Sequence, residues 1–203
     1  MSKTILIVED EDILSEILKD YFLNEQYQVL EERDGWSVFP RICKMSQFPI
    51  IMLAACVDED DTLLGFELGA DDYVTKSYSL PILLVRAKRL LASRVVTSKS
   101  LSNDNDTISI HGIYVYFPSR IITIDGIDIN LTHTEFEILT YFMQDQGIVL
   151  SREQLIFRIL GYELAGGDWT VNSHIRNLRN KLGHKAKYIT TVVRIGYKFV
   201  GDI

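Results

Sequence analysis

Apolar and polar positions along the first ninety residues follow two rhythms. Continuous apolar runs at Thr4–Val8 and Ile50–Leu53, with a shorter one at Tyr73–Thr75, predict buried parallel strands. Between and after them lie amphipathic stretches: Ile13–Asn24 (apolar Ile13, Leu14, Ile17, Leu18, Phe22), Thr62–Leu68 and Pro81–Ala92 (Ile82, Leu83, Val85, Leu90, Leu91). Strands alternating with helices predict a layered α/β domain. The stretch Ser93–Thr107 is crowded with Ser, Asn, Asp and Thr and keeps no apolar period, so it predicts a linker. The chain therefore divides into a first domain over 1–94, a linker over 95–107 and a second domain over 108–203.

After the linker, apolar and polar residues alternate with breaks at Gly112, Pro118-Ser119 and Asp125-Gly126, the pattern of an antiparallel meander. Three helix signals follow. Thr132 with Glu135, and Ser151 with Gln154, have capping-box spacing, and a third helix over Thr170–Leu182 stops at Gly183. The end of the chain predicts a hairpin turning near Arg194–Gly196.

The net charge of -7 argues against a nucleic-acid partner until its distribution is considered. Residues 1–94 hold 10 Lys and Arg against 17 Asp and Glu, whereas 95–203 hold 11 of each. Within the second half, Trp169–Gly201 carries seven basic residues (Arg176, Arg179, Lys181, Lys185, Lys187, Arg194, Lys198) and no acid, which makes a local electropositive surface. Cys43 and Cys56 form no disulfide framework, and His111, His133, His174 and His184 lack metal-ligand spacing. No metal and no cofactor is expected. No segment reaches the roughly 20 apolar residues that cross a bilayer, so a cytoplasmic protein without a membrane partner is expected.

In the third helix, Val171, Ile175, Leu178 and Leu182 share an apolar face. Ser173, Arg176, Asn177 and Asn180 are placed opposite, flanked by Asn172 and Arg179. Such side chains suit a DNA groove, although a polar helix face alone more often just meets water. The constellation decides. From Ile108 to Val200, through LTHTEFEIL, LSREQL, WTVNSHIRNLRNKLG and YITTVVRIGYKF, the chain resembles the winged-helix effector domain of OmpR/PhoB-family response regulators. The resemblance implies double-stranded DNA as partner, Thr170–Leu182 as major-groove recognition helix, and a wing around Val193–Gly196. The DNA-binding set it implies is Trp169, Thr170, Asn172, Ser173, Arg176, Asn177, Arg179, Asn180, Lys181, Thr191, Val193, Arg194 and Tyr197. Trp169, Asn177 and Val193 each stand where the family often has Arg, and Arg194 where it often has Gly, so a different target is expected. Arg194 further implies a backbone free of obligatory positive φ.

Residues Lys3–Arg94 resemble the family's receiver domain through ILIVEDEDIL, PIIMLAA and GADDYVTKSYS. Glu9 and Asp10 match the Mg²⁺-binding acids, Lys76 the phosphoryl-binding Lys and Tyr73 the aromatic switch. The strand bearing the phospho-acceptor Asp has no counterpart: about 20 to 30 residues are missing at ordinary element lengths. Ala54 replaces the hydroxyl residue, and Ser77 replaces a Pro. Asp34, after the second strand, lacks the strand that would place it as a substitute. Residual Mg²⁺ at Glu9 and Asp10 is the weaker reading, leftover carboxylates the stronger. The expected fold is a flavodoxin-like sheet missing its central strand, order 2-1-4-5 in the family's strand numbers unless a neighbouring chain swaps in, joined to an α+β winged helix-turn-helix domain. The family's dimerisation portion, Asp58–Arg94, is intact, with Asp71, Asp72, Ile82, Arg86 and Arg89 as candidate contacts. A phosphorylation-independent homodimeric regulator follows, with RNA polymerase as a further partner. The rival is a module that sequesters an intact response regulator. An enzyme using Glu9, Asp10 and Lys76 lacks a nucleophile.

Overall fold

The computed structural model describes residues 3–33, 48–54, 68–76, 78–96, 106–160 and 168–201, together with Gly65. Asp34, Pro40, Cys43, Cys56, Asp58, Ser77 and most of the expected Thr62–Leu68 helix lie outside the described residues.

The first half contains β1 (Thr4–Val8), α1 (Asp12–Asn24), β2 (Gln28–Glu32), β3 (Ile51–Ala54), β4 (Asp72–Thr75) and α2 (Leu80–Val96). β1 pairs in parallel with β2, and β3 with β4. Among the described residues no ladder joins the two pairs, so the expected continuous four-strand sheet is replaced by two two-stranded sheets. Side-chain packing holds the pairs together instead: Ile7 and Val74 share one apolar cluster with Leu18, Phe22, Leu83 and Leu84. The other face of the β1–β2 pair is bare. Leu6 and Leu30, opposite one another in register, are 44% and 59% exposed, far above an ordinary α/β sheet covered on both faces.

The second half begins with a four-stranded antiparallel meander, β5 (Thr107–Ile110), β6 (Ile113–Tyr116), β7 (Ile121–Ile124) and β8 (Ile127–Ile129). Then come α3 (His133–Gln144), β9 (Val149–Ser151), α4 (Arg152–Leu160), α5 (Asp168–Leu182), a 3₁₀ segment (Gly183–Tyr188), β10 (Ile189–Val192) and β11 (Gly196–Phe199). Thr132 closes a full capping box with Glu135 at the start of α3. Ser151 and Gln154 exchange the equivalent pair of bonds before α4, at 2.8 and 3.1 Å. Gly183, at φ +56°, ends α5 in the left-handed conformation, but the chain continues helically as the tighter 3₁₀ segment. β11 lies between β10 and β9. One apolar core, including Phe136, Phe142, Leu155, Ile175, Leu178 and Phe199, unites meander, helices and terminal hairpin.

Two boundaries move slightly: α2 runs on to Val96, past the expected start of the linker, and the meander starts at Thr107. The two halves also touch, α2 packing on α4. No described helix is long and apolar enough to cross a membrane.

Candidate nucleic-acid interface

α5 is anchored by Val171, Ile175, Leu178 and Leu182, all buried. Asn172, Arg176 and Asn180 are exposed on the other side, with Asn177 and Arg179 half-buried at its margins. The backbone of Trp169 and Thr170 begins the helix, while their side chains lie outside the described residues. Ser173 corrects the expectation: it is only 3% exposed and cannot face a groove. Both α3 and α4 pack against α5, and two neighbours cover a wider sector than the apolar stripe alone predicts. The same cover buries His174, whose imidazole is pushed down to about 4 by burial, with the positive charge of Lys181 adding to the shift.

The wing is the β10–β11 hairpin. Val193 is 77% exposed at its tip, beside exposed Arg194 and Ile195. Arg194 has φ +63°, so the Arg occupies the left-handed conformation that the sequence was expected to avoid. Gly196 explains the close approach of the hairpin to the core: a Cβ there would lie 2.0 Å from the Leu150 carbonyl oxygen.

A network ties helix to wing. Arg179 donates to the Ile189 carbonyl at 3.2 and 2.7 Å and to Thr191 Oγ1 at 3.0 Å. Arg152 and Arg179 lie over the Tyr197 ring, 5.2 and 5.5 Å from its centre. The Tyr197 hydroxyl and Arg152 Nε both donate to Asn172 Oδ1, at 2.7 and 3.2 Å. Tyr197 is therefore buried and internally committed, not an open DNA contact. Lys181 likewise turns away from the exposed face, pairing with the capping-box Glu135 at 2.6 Å. Arg152 is the residue that sequence reasoning missed. Its neighbours Ser151 and Gln154 were read as a cap, and nothing in the spacing says that the first turn of α4 meets Asn172.

In the first domain Lys76 Nζ lies 2.9 Å from Glu9 Oε1, and Glu9 is buried. The Lys76 pKa is raised, chiefly by its hydrogen bond to Glu9. Glu9 Oε1 also accepts from the Glu11 N–H at 3.2 Å. Glu9 Oε1 is thus held by the Lys76 ammonium and a backbone N–H. Asp10 is exposed, Tyr73 half-buried, and the Ala54 side chain lies outside the described residues.

The candidate dimer residues separate. Ile82 is 54% exposed, as an interface requires, and Val85 beside it 61%. Arg86 and Asp72 form an ion pair within the chain, Nη1 at 2.9 Å from both carboxylate oxygens. Asp71 is wholly buried, accepting from the backbone N–H groups of Ile50 and Thr134 at 2.8 and 2.7 Å. Arg89 donates to the Phe157 and Arg158 carbonyls at the end of α4. Both residues join the chain's own domains, Asp71 at the start of α3 and Arg89 where α2 packs on α4.

Receiver-like and winged-helix domains in one chain define a response regulator of the OmpR/PhoB type. Residues 126–199 match the family described as "Transcriptional regulatory protein, C terminal". The chain is 39% identical over 176 residues to an uncharacterized transcriptional regulatory protein, YclJ, of Bacillus subtilis (strain 168), covering 86% of this chain and 77% of that one. It is 32% identical over 231 residues to the transcriptional regulatory protein SrrA of Staphylococcus aureus (strain NCTC 8325 / PS 47), covering 98% and 96%. Among solved structures, a RitR mutant shares the fold with a TM-score of 0.74, at 21% identity over 98% of this chain and 99% of that one. The chain belongs to the OmpR/PhoB family of response regulators and is a DNA-binding transcription regulator, not an enzyme.

Proposed function

We propose that this regulator binds paired DNA sites as a homodimer without awaiting phosphorylation. The observation that carries the reading is the Lys76–Glu9 ion pair, which ties up the cation that would neutralise a phosphoryl group and the acid that would bind its metal. Three features support it. The two strand pairs are not laddered to one another among the described residues, and Leu6 and Leu30 stand uncovered where further elements would pack. The match to SrrA spans 231 residues, whereas 98% of a 203-residue chain is about 199, so roughly 30 of its positions have no counterpart here. That deficit agrees with the loss of the acceptor strand and its helix.

In this reading α5 enters the major groove with Asn172, Arg176, Asn177 and Asn180 toward the bases. Arg152, Arg179 and Thr191 brace the helix against the wing, and Val193 and Arg194 reach the adjacent backbone or minor groove. A second copy docks on the exposed Ile82 and Val85, and RNA polymerase is the further partner.

The test is DNA affinity and mass with and without a small-molecule phosphoryl donor and Mg²⁺. The expected result is a dimer at micromolar protein whose affinity does not respond. A gain of about tenfold, some 1.4 kcal/mol, on adding the donor would refute phosphorylation independence. A protein that stays monomeric on DNA, or binds none selectively, would point to the sequestering module.

A further inference from the structure

We propose that Asn172 reads DNA as a donor only, held by Arg152 and Tyr197 so that it selects guanine over adenine. The inference rests on α5 being the recognition helix. Asparagine ordinarily recognises adenine with both ends of its amide, Nδ2 donating to N7 and Oδ1 accepting from N6. Here Oδ1 already receives Arg152 Nε–H at 3.2 Å and the Tyr197 hydroxyl at 2.7 Å. An arginine can only donate, so the amide atom facing it must be the oxygen, which fixes the orientation of the group. With two donors on that oxygen, its lone pairs are committed.

The brace is stiff. Tyr197 is 5% exposed and is held in register between Thr191 and Leu150. Its ring lies under two guanidinium groups, those of Arg152 and Arg179, and Arg179 is itself fastened to the β10 backbone. Turning Oδ1 outward would strand the Tyr197 hydroxyl in a nearly closed site. What Asn172 offers the groove is its NH₂, which has no partner among the described residues, on a side chain exposed to solvent. A donor with no acceptor beside it complements guanine, whose N7 and O6 both accept. Adenine presents N7 beside an amino donor that would be left unpaired.

The experiment is selection of bound sequences from a randomised duplex library by the wild-type chain and by Asn172→Ala. The position where the two profiles differ is the one Asn172 reads. Guanine is expected there for the wild type, and 7-deazaguanine at that position should weaken binding by at least about fivefold, the lower range for one good base contact. Arg152→Met with Tyr197→Phe frees Oδ1, and the same position should then shift toward adenine. Adenine in the wild-type profile, identical profiles for wild type and Asn172→Ala, or an unshifted profile in the folded double variant would each overturn the proposal. The wild-type and Asn172→Ala arms decide it even if the double variant does not fold. A wild-type chain that selects no motif would overturn the DNA reading on which it stands.

Discussion

Asp71 accepts a hydrogen bond from the Thr134 backbone N–H at 2.7 Å and so links the two domains through one carboxylate. Thr134 lies in the first turn of α3, where amide groups lack partners within the helix and a negative charge is favoured. The other Asp71 oxygen accepts from Ile50 at 2.8 Å. Burial nevertheless pushes the Asp71 carboxyl up to about 7, against both of those bonds and with repulsion from Glu135 adding to the shift. Around it stand Glu135 paired with Lys181 on the effector side, and Asp72 paired with Arg86 on the receiver side.

Docking of the two domains is therefore linked to pH. If separation exposes Asp71 and returns its carboxyl from about 7 toward the ordinary 3.8, the docked form binds a proton that the separated form releases. Docking is strongest below pH 4 and weakens as pH rises through 7. Energy transfer between labels on the two domains should fall from about pH 4 to pH 7 and level off above that, and Asp71→Asn should flatten the response. A variant that titrates like the wild type would remove Asp71 from the account.

His174 works in the opposite sense. Its imidazole is pushed from 6.5 down to about 4, so the folded state binds fewer protons than the unfolded chain. The stability this gives is fully present above pH 6.5 and is lost as pH falls toward 4, at most about 3 kcal/mol. Urea unfolding followed through the winged-helix core should weaken across that window. His174→Leu should remove the acid-dependent part of the loss.

The wing carries two backbone constraints of opposite consequence. Arg194 sits at φ +63°, and Arg194→Gly should raise the unfolding free energy by about 1 kcal/mol while weakening DNA binding at low salt. At Gly196, a Cβ 2.0 Å from the Leu150 oxygen forces β11 off β9. Gly196→Ala should cost about 3 kcal/mol in the same measurement.

Lys76→Met tests the Lys76–Glu9 ion pair. It leaves the Glu9 side chain, 5% exposed, without its ammonium. A loss of about 1 to 3 kcal/mol in the first domain is expected, with DNA affinity unchanged.

The winged-helix half was the more legible in sequence because its signals are local. Thr132 with Glu135 and Ser151 with Gln154 close the caps that their spacing predicts. The Val171–Leu182 stripe is the buried face of α5. What stayed hidden depends on tertiary neighbours. Ser173 lies on the polar side of its helix by periodicity and is covered by packing. Tyr197 and Arg152, 45 residues apart in the chain, meet only because β11 pairs with β9 at the start of α4. In the first half, the short spacing between β2 and β3 was visible in the sequence, but the absence of a ladder between the two strand pairs among the described residues was not. Asp71 and Arg89, candidate contacts between subunits, meet partners in their own chain, at the start of α3 and at the end of α4.

The most direct test of the central claim is selection of genomic DNA fragments by the purified, untreated chain at two salt concentrations, beside Arg176→Ala and Asn177→Ala. The account predicts enrichment of one repeated motif without any phosphoryl donor, weakened by both substitutions. Salt-sensitive binding with no motif, unchanged in the variants, would contradict it.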